Sequence, residues 1–312
     1  MGNANDIIFT EPVFKTTIWG GRKLKDDFGF DIPSDTTGEC WAISAHKNGD
    51  CTVSEGKYKG EKLSALWKNH PELFGNGEGE FPLLIKILDA REDLSIQVHP
   101  DDTYAKEYEN GSLGKTECWY ILDCDSDATI VIGHNAQTRA QAEEMIKKGD
   151  WKSFIREVPI KKGDFFQIEP GCMHAIKGGT LILETQQSSD ITYRVYDYDR
   201  LQNGKLRELH IEKSLDVLTV PFAEAKCEKH IEKGENHTVE TLVSCRYYTV
   251  DKIDVSGKTE YEKDCRFMNV TVIDGCGSVC GRKIKKGDSF VVPFKFGCME
   301  FDGDMSLITS YC

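Results

Sequence analysis

Gln97 and His99 stand two residues apart in the apolar run Leu94-Ser95-Ile96-Gln97-Val98-His99, and side chains two apart on a strand share a face. Ile96 and Val98 are then expected in a hydrophobic layer, with the amide and the imidazole aimed together into whatever the other face encloses. A buried polar pair needs partners. Glu117, on the strand-like run TECWYIL at 116 to 122, is one candidate; His174, just past the Pro170-Gly171 turn of GDFFQIEPGCMHAIKGG at 163 to 179, is the other. Two imidazoles, one carboxylate and one amide oxygen suit a borderline divalent cation, zinc first, with iron and manganese as alternatives. The ligand charges sum to minus one, so a bound divalent ion keeps net positive charge. With room for substrate oxygens, such a site is catalytic rather than structural. A lone strand histidine is more often a hydrogen-bonded core residue; what favours ligation is that the Gln-x-His strand is followed by an acid on the next apolar run and then by a turn-borne histidine.

The elements that must bring these four together read as an antiparallel barrel. Residues 7 to 55 alternate short β-like runs (Ile7 to Thr10, Cys40 to Ala45, Cys51 to Val53) with Gly, Asp and Pro turns, as outer strands of a barrel would. Leu63, Leu66 and Trp67 have helical spacing within 61 to 75, with Pro71 opening a second turn. Leu83 to Leu88 and Leu94 to His99 are strand-like. The stretch from Pro100 to Lys115 opens on a helix-start signal, Pro100-Asp101-Asp102, and residues 136 to 157 have the composition of two short helices with Thr138 as a cap. Strands resume from Gly163 to Gln187. A boundary is expected near Val220-Pro221, giving units 1 to 220, with helical insertions at about 61 to 75 and 100 to 157, and 221 to 312. KKGDSFVVPF at 285 to 294 repeats the cadence of KKGDFFQIEP at 161 to 170, an internal echo in which no histidine follows the proline. The second unit is therefore expected to be metal-free and structural.

A chain of 312 residues with 29% charged and 39% hydrophobic residues allows about two soluble domains, and its formal charge of −13 argues against nucleic acid or an anionic membrane as partner. Its 12 cysteines include no C-x2-C pair, and most read as small core residues, consistent with free thiols in a reducing cytoplasm. The start, MGNANDIIFTEPVFK, lacks the basic and apolar regions of a signal peptide, and Asp6 stands where a myristoylation signal wants Ser or Thr. No apolar run approaches the ~20 residues needed to cross a bilayer.

The order Gln-x-His, Glu, then G-x6-P-G-x2-H resembles the two metal-binding motifs of the cupin superfamily, with Gln97 in place of the first histidine and an unusually long insertion before Glu117. More specifically, the chain resembles the type I mannose-6-phosphate isomerase family in its short bacterial form. The matching phrases are Ile18-Trp19-Gly20-Gly21, GECWAISAH at 38 to 46, PLLIKILDA at 82 to 90, SIQVHPDD at 95 to 102, GKTECWYI at 114 to 121, PGCMHAI at 170 to 176 and QQSSDITYRVYDYDR at 186 to 200. Cys40 and Ala42 depart from the Ser and Glu expected there. The resemblance implies a mainly β fold of two cupin (jelly-roll, double-stranded β-helix) barrels, the first catalytic and carrying a small helical insertion. It also implies one zinc ion per chain and interconversion of mannose 6-phosphate and fructose 6-phosphate.

Aldose-ketose isomerisation requires a proton to leave the carbon beside the carbonyl and return to its neighbour through an enediol, while charge builds on two adjacent oxygens. A cation against those oxygens stabilises the transition state, and a general acid and base must reach both carbons; the candidates are Lys115, Asp190 and Arg194 for catalysis and Lys86 for binding the substrate. Lys115 precedes Glu117 by two and so shares its face. Lys86, in the apolar strand LLIKIL, is expected inward as a paired ammonium; the alternative is a purely structural pair with a carboxylate such as Glu39. A partly desolvated lysine beside a cation has its pKa pushed down. Arg194 suits an enediolate oxygen or a phosphate. The resemblance makes it the active-site arginine of the phrase SSD-x3-R, although Asp190 and Arg194 could equally form an i, i+4 salt bridge on a surface turn. Among the other histidines, His46 is the one that could approach the site. An iron-dependent cupin oxygenase would want more histidine ligands than Gln97 leaves. A non-catalytic sugar-binding cupin would need no proton-transfer residues.

Overall fold

The computed structural model describes residues 6 to 312; the Met1-Gly2 start considered for acylation lies outside them. The polar-apolar alternation of the first two hundred residues is expressed as two antiparallel sheets packed face to face. One carries, from edge to edge, Phe165–Ile168, Glu117–Cys124, Thr180–Gln187 and Leu83–Ala90, then Val13–Gly21 and Thr37–Ile43, which pair with each other and both with Leu83–Ala90. The other carries Tyr193–Tyr196, Ile96–Val98, His174–Ile176, Thr129–His134 and Ile155–Pro159. Their inner faces meet in one apolar layer, where Leu88, Trp119, Ile121 and Ile182 of the first sheet pack with Ile130, Ile132 and Ile176 of the second.

Each sheet is also covered on its outer face. Ile96, Val98, Val131, Ala175 and Val195 form a cluster with Ala142, Ile146, Phe154 and Leu215 from three helical segments, Arg139–Lys148, Trp151–Phe154 and Ile211–Val217. The outer face of the first sheet (Leu83, Ile85, Ile87, Cys118, Leu181, Leu183) packs against Leu242, Val250, Phe267 and Ile308 of the C-terminal unit. Burial on both faces explains why Leu83–Ala90 and Thr180–Gln187 are buried at all eight positions and read as near-continuous apolar runs. Inside such a strand a charged residue must find a partner.

The expected helices form at Leu63–Asn69, followed by a 3-10 turn at Pro71–Phe74, at Asp102–Tyr108 and at Arg139–Lys148, where the Thr138 hydroxyl accepts the Gln141 amide at 3.2 Å. The helical reading of 136 to 157 requires correction at its end. From Ile155 the chain is a strand paired with Thr129–His134, so sheet pairing overrides local composition there.

The C-terminal unit is a single antiparallel sheet running from His230–Lys233 through Thr249–Ser256, Met299–Tyr311 and Met268–Val279 to Ser289–Val292. Its next strand is Ile8–Glu11, with Ile8 opposite Val291 and Phe9 opposite Phe290. The reading of Ile7 to Thr10 as an outer strand of the first barrel is thus corrected: Phe9 belongs to the apolar core of the second unit. The internal echo is structural as well as textual. Lys161 N and Lys285 N each donate to the carboxylate three residues on, Asp164 and Asp288, at 2.9 Å, and Gly163 and Gly287 follow with φ of 91° and 96°. No helix among the described residues is long and apolar enough to cross a membrane, and all twelve cysteines are free thiols.

Candidate metal centre

Register, more than any single bond, brings the site together. In the second sheet His174 lies directly opposite Gln97, and Gln97 lies opposite Arg194 on its other side. Residues directly opposite in antiparallel pairs share a face, so Arg194, Gln97 and His174 line up across three strands and look toward the first sheet. His99 follows immediately after its strand, and its carbonyl accepts the Gly171 amide at 2.9 Å. This ties the Pro-Gly turn that carries His174 to the Gln-x-His strand. The turn needs glycine: Gly171 has φ of 83°, and a Cβ there would sit 2.6 Å from the Val217 carbonyl.

From the facing sheet comes Glu117, opposite Gln186. His174 Nε2 lies 3.1 Å from His99 Nε2 and 3.3 Å from Glu117 Oε1, and His99 Nε2 lies 3.6 Å from Glu117 Oε2. Gln97 Nε2 is 3.3 Å from His174 Nε2; a half-turn of the amide presents its oxygen to the same point. His99, Glu117 and His174 are 1%, 0% and 0% exposed, and three of their ligand atoms lie within 4.8 Å of one another. The donor set fits a divalent cation. His174 Nδ1 donates to the Cys172 carbonyl at 2.9 Å, leaving the Nε2 lone pair free, the backing that ligating histidines have. Burial pushes the His174 imidazole down to about 4 and holds His99, beside Lys115, well below its ordinary value, so both are neutral. Glu117 Oε1 is buried without a hydrogen bond, and burial, reinforced by the nearby Glu184 carboxylate, pushes this acid up. Oε1 faces the Nε2 lone pair of His174 rather than a proton, an arrangement that a metal ion between the two would satisfy.

Lys115 reaches this cluster as its spacing predicted, with Nζ 2.9 Å from Glu117 Oε2 and 3.2 Å from His99 Nε2. Lys86 is also inward, but its partner is not Glu39, which accepts the Trp41 indole N–H at 2.7 Å. Lys86 Nζ bonds Glu184 Oε1 at 3.0 Å, while Glu184 Oε2 accepts the Trp119 N–H at 3.0 Å. These residues form one row across the first sheet, Trp119 opposite Glu184, Glu184 opposite Lys86 and Lys86 opposite Trp41. Burial opposes both charges, yet the pair prevails: Lys86 is held above its ordinary value and Glu184 below its own. The expected lowering of a desolvated lysine is reversed at Lys86. Glu184 is a functional candidate that sequence reasoning missed. Its signal was a lone acid inside the apolar strand TLILETQQ, the same anomaly that singled out Lys86.

Arg194 donates through Nη1 to the Glu208 carbonyl at 2.9 Å, and its buried Nε has no partner. Asp190 does not pair with it. Asp190 lies beyond the strand that carries Gln186, with Oδ1 3.6 Å from His46 Nε2 and its other oxygen bonded by Asn48. Both His46 and Asp190 line a cleft of about 620 Å3, together with Trp67, Leu113 and Ser189. The structure therefore brings together Gln97, His99, Glu117, His174 and Lys115, lines Arg194 up in register beside Gln97, and leaves Asp190 at the cleft.

The chain matches the family model for the catalytic domain of phosphomannose isomerase type I over residues 8–141 and that for the cupin domain of mannose-6-phosphate isomerase over residues 238–312. It is 49% identical to the mannose-6-phosphate isomerase ManA of Bacillus subtilis, covering 97% of this chain and 98% of that one. It is 46% identical to the mannose-6-phosphate isomerase of Streptococcus mutans, again over 97% and 98%. Its structure is similar to the crystal structure of a mannose 6-phosphate isomerase from Bacillus subtilis, with a TM-score of 0.96 and 48% identity, covering 98% and 99% of the two chains.

Proposed function

The chain belongs to the type I phosphomannose isomerase family and is an aldose-ketose isomerase, and we propose that it interconverts mannose 6-phosphate and fructose 6-phosphate with one zinc ion held by Gln97, His99, Glu117 and His174. The observation that carries this reading is the convergence of three buried donor atoms with no proton between them: His99 Nε2, His174 Nε2 and Glu117 Oε1, the last without a hydrogen bond. Zinc suits this mixed nitrogen and oxygen set. When bound, it supplies Lewis acidity against the two adjacent sugar oxygens on which charge builds.

The remaining chemistry falls to the chain's own side chains. Lys115, two residues before Glu117 and in contact with it, acts as the free amine: it takes the proton from one reacting carbon, becoming an ammonium, and returns it to the neighbouring carbon of the enediol. Lys86, kept as an ammonium by Glu184, binds the sugar from the row beside the ligands. Arg194, with a buried and unpartnered Nε, holds an enediolate oxygen or the phosphate. Asp190, which accepts a hydrogen bond from Asn48 and lies near His46 at the cleft, exchanges a proton with a sugar hydroxyl during ring opening. Residues 1 to 220 carry the catalysis, residues 221 to 312, joined in their sheet by the strand Ile8–Glu11, form a metal-free structural unit, and the free thiols suit a cytoplasmic setting.

The oxygenase alternative gains nothing from relatives named as isomerases, and a binding module has no need of Lys115. Turnover of mannose 6-phosphate before and after chelation tests the reading, and isomerisation that survives complete metal removal overturns it. The same reaction in heavy water tests the proton path: solvent deuterium in the product supports the enediol, and its absence would replace it with a hydride shift.

A further inference from the structure

Lys115 ends the long segment that begins at Pro100, yet its Nζ is buried at a defined place between His99 and Glu117. A lysine side chain loses rotamer freedom when it is fixed, and a loop of this length adds its own closure cost. Something must hold the end of the loop. Three successive amides, those of residues 114, 115 and 116, are each pinned. Gly114 N donates to Asp102 Oδ1 at 2.9 Å, Lys115 N to the Pro100 carbonyl at 3.0 Å, and Thr116 N to Gln187 Oε1 at 2.9 Å.

The two side chains that do the pinning are joined to each other, since Gln187 Nε2 donates to the same Asp102 Oδ1 at 3.0 Å. Gln187 is 4% exposed and so spans the gap from its strand to both ends of the loop without competition from water. Close approach is built in as well: a Cβ on Gly114 would lie 2.5 Å from the Asp101 carbonyl carbon. The neighbouring acids of the phrase HPDD thus divide their work. Asp101 caps the helix Asp102–Tyr108 by accepting the Tyr104 amide at 2.8 Å, while Asp102 closes the loop. Arg246 and Tyr247 of the C-terminal unit face the same carboxylate, so the second unit backs the closure.

We propose that Asp102 and Gln187 are positioning residues for the isomerisation, forming a clasp that holds Lys115 against His99 and Glu117. The proposal rests on the reading of Lys115 as the proton-transfer group. A displacement of about 1 Å at a reacting group costs on the order of 100-fold in rate, which sets the scale of the effect.

The test is a double-mutant cycle on the metal-loaded, full-length enzyme with mannose 6-phosphate. Asp102→Ala is expected to lower kcat by about 10- to 100-fold with KM changed less than about 3-fold and metal content unchanged. Asp102→Asn, which keeps an acceptor oxygen for Gly114 and Gln187, stays within about 3-fold of wild type. In a Lys115→Ala background Asp102→Ala has no further effect, because the group it positions is gone. An equal loss in both backgrounds, or equal damage from Asn and Ala, overturns the clasp even though Lys115 matters. Wild-type turnover by Lys115→Ala overturns the Lys115 reading and the clasp with it. If Asp102→Ala fails to fold, Gln187→Leu, which releases the Thr116 amide, takes its place in the cycle: a loss confined to the Lys115 background supports the clasp, and an equal loss in both backgrounds overturns it.

Discussion

Removing one half of the Lys86–Glu184 pair is predicted to be far more damaging to the fold than removing both. The two side chains are 8% and 4% exposed and 3.0 Å apart, on neighbouring strands covered on both faces. Glu184→Leu strands the Lys86 ammonium and orphans the Trp119 N–H, which has Glu184 as its acceptor. Breaking a buried pair in this way costs about 3–5 kcal/mol, because the remaining charge is left without compensation. At about 2–4 °C per kcal/mol for a large domain, the melting temperature falls by roughly 6–20 °C. Lys86→Met does the same in reverse, softened by the Trp119 bond that Glu184 keeps. The double variant Lys86→Met/Glu184→Leu replaces the pair with apolar groups, and its stability returns to within about 1 kcal/mol of wild type or above it. Its turnover is expected not to return, because the ammonium proposed to bind the sugar is absent. Thermal unfolding of the four proteins, with turnover on the same samples, makes the comparison. Singles that cost under about 1 kcal/mol, or a double variant as unstable as the sum of its parts, would refute the reasoning.

Glu117→Gln removes the one anionic ligand and is expected to weaken metal binding by more than about 100-fold, read by competition with a chromogenic chelator. Arg194→Ala is expected to lower kcat by about 100- to 1,000-fold with metal stoichiometry intact; loss of the metal instead would mean the residue's role is misassigned. Acid should destabilise the chelated protein as pH falls from 6.5 toward about 4, the ordinary and folded values of His174. Over that window the unfolded chain takes up a proton that the folded chain does not. His99 acts in the same direction, and the two imidazoles outweigh Glu117, whose raised value acts oppositely. Denaturant titrations at several pH values read the slope, and stability that stays flat or rises on acidification contradicts the neutral, buried imidazoles.

The site was legible in the sequence wherever its logic is local. Gln97 and His99 share a face because strands alternate, Lys115 and Glu117 share one for the same reason, and the Pro-Gly turn announces His174. What spacing could not supply was the pairing of strands far apart in the chain. Lys86 has Glu184 as its partner, and not Glu39, because Leu83–Ala90 and Thr180–Gln187 are neighbours in register. Likewise Asp190 answers to His46, and not to Arg194, because the chain turns between the end of one strand and the start of the next. In the fold, the repeated KKGD turn was readable from its Gly and Asp. The assignment of Ile8–Glu11 to the last sheet was not, since its partner strand lies at the far end of the chain and nothing in four residues names it. At Ile155–Pro159 composition pointed to helix, and only pairing with Thr129–His134 made it strand.

Anomalous diffraction at the zinc edge from crystals of active enzyme grown without added metal tests the central claim most directly. A single peak per chain is predicted between His99, Glu117 and His174, about 2.0–2.2 Å from the two imidazole nitrogens and a carboxylate oxygen, with the Gln97 oxygen turned toward it. A peak bound by other residues, or none in crystals that convert mannose 6-phosphate at full rate, would contradict it.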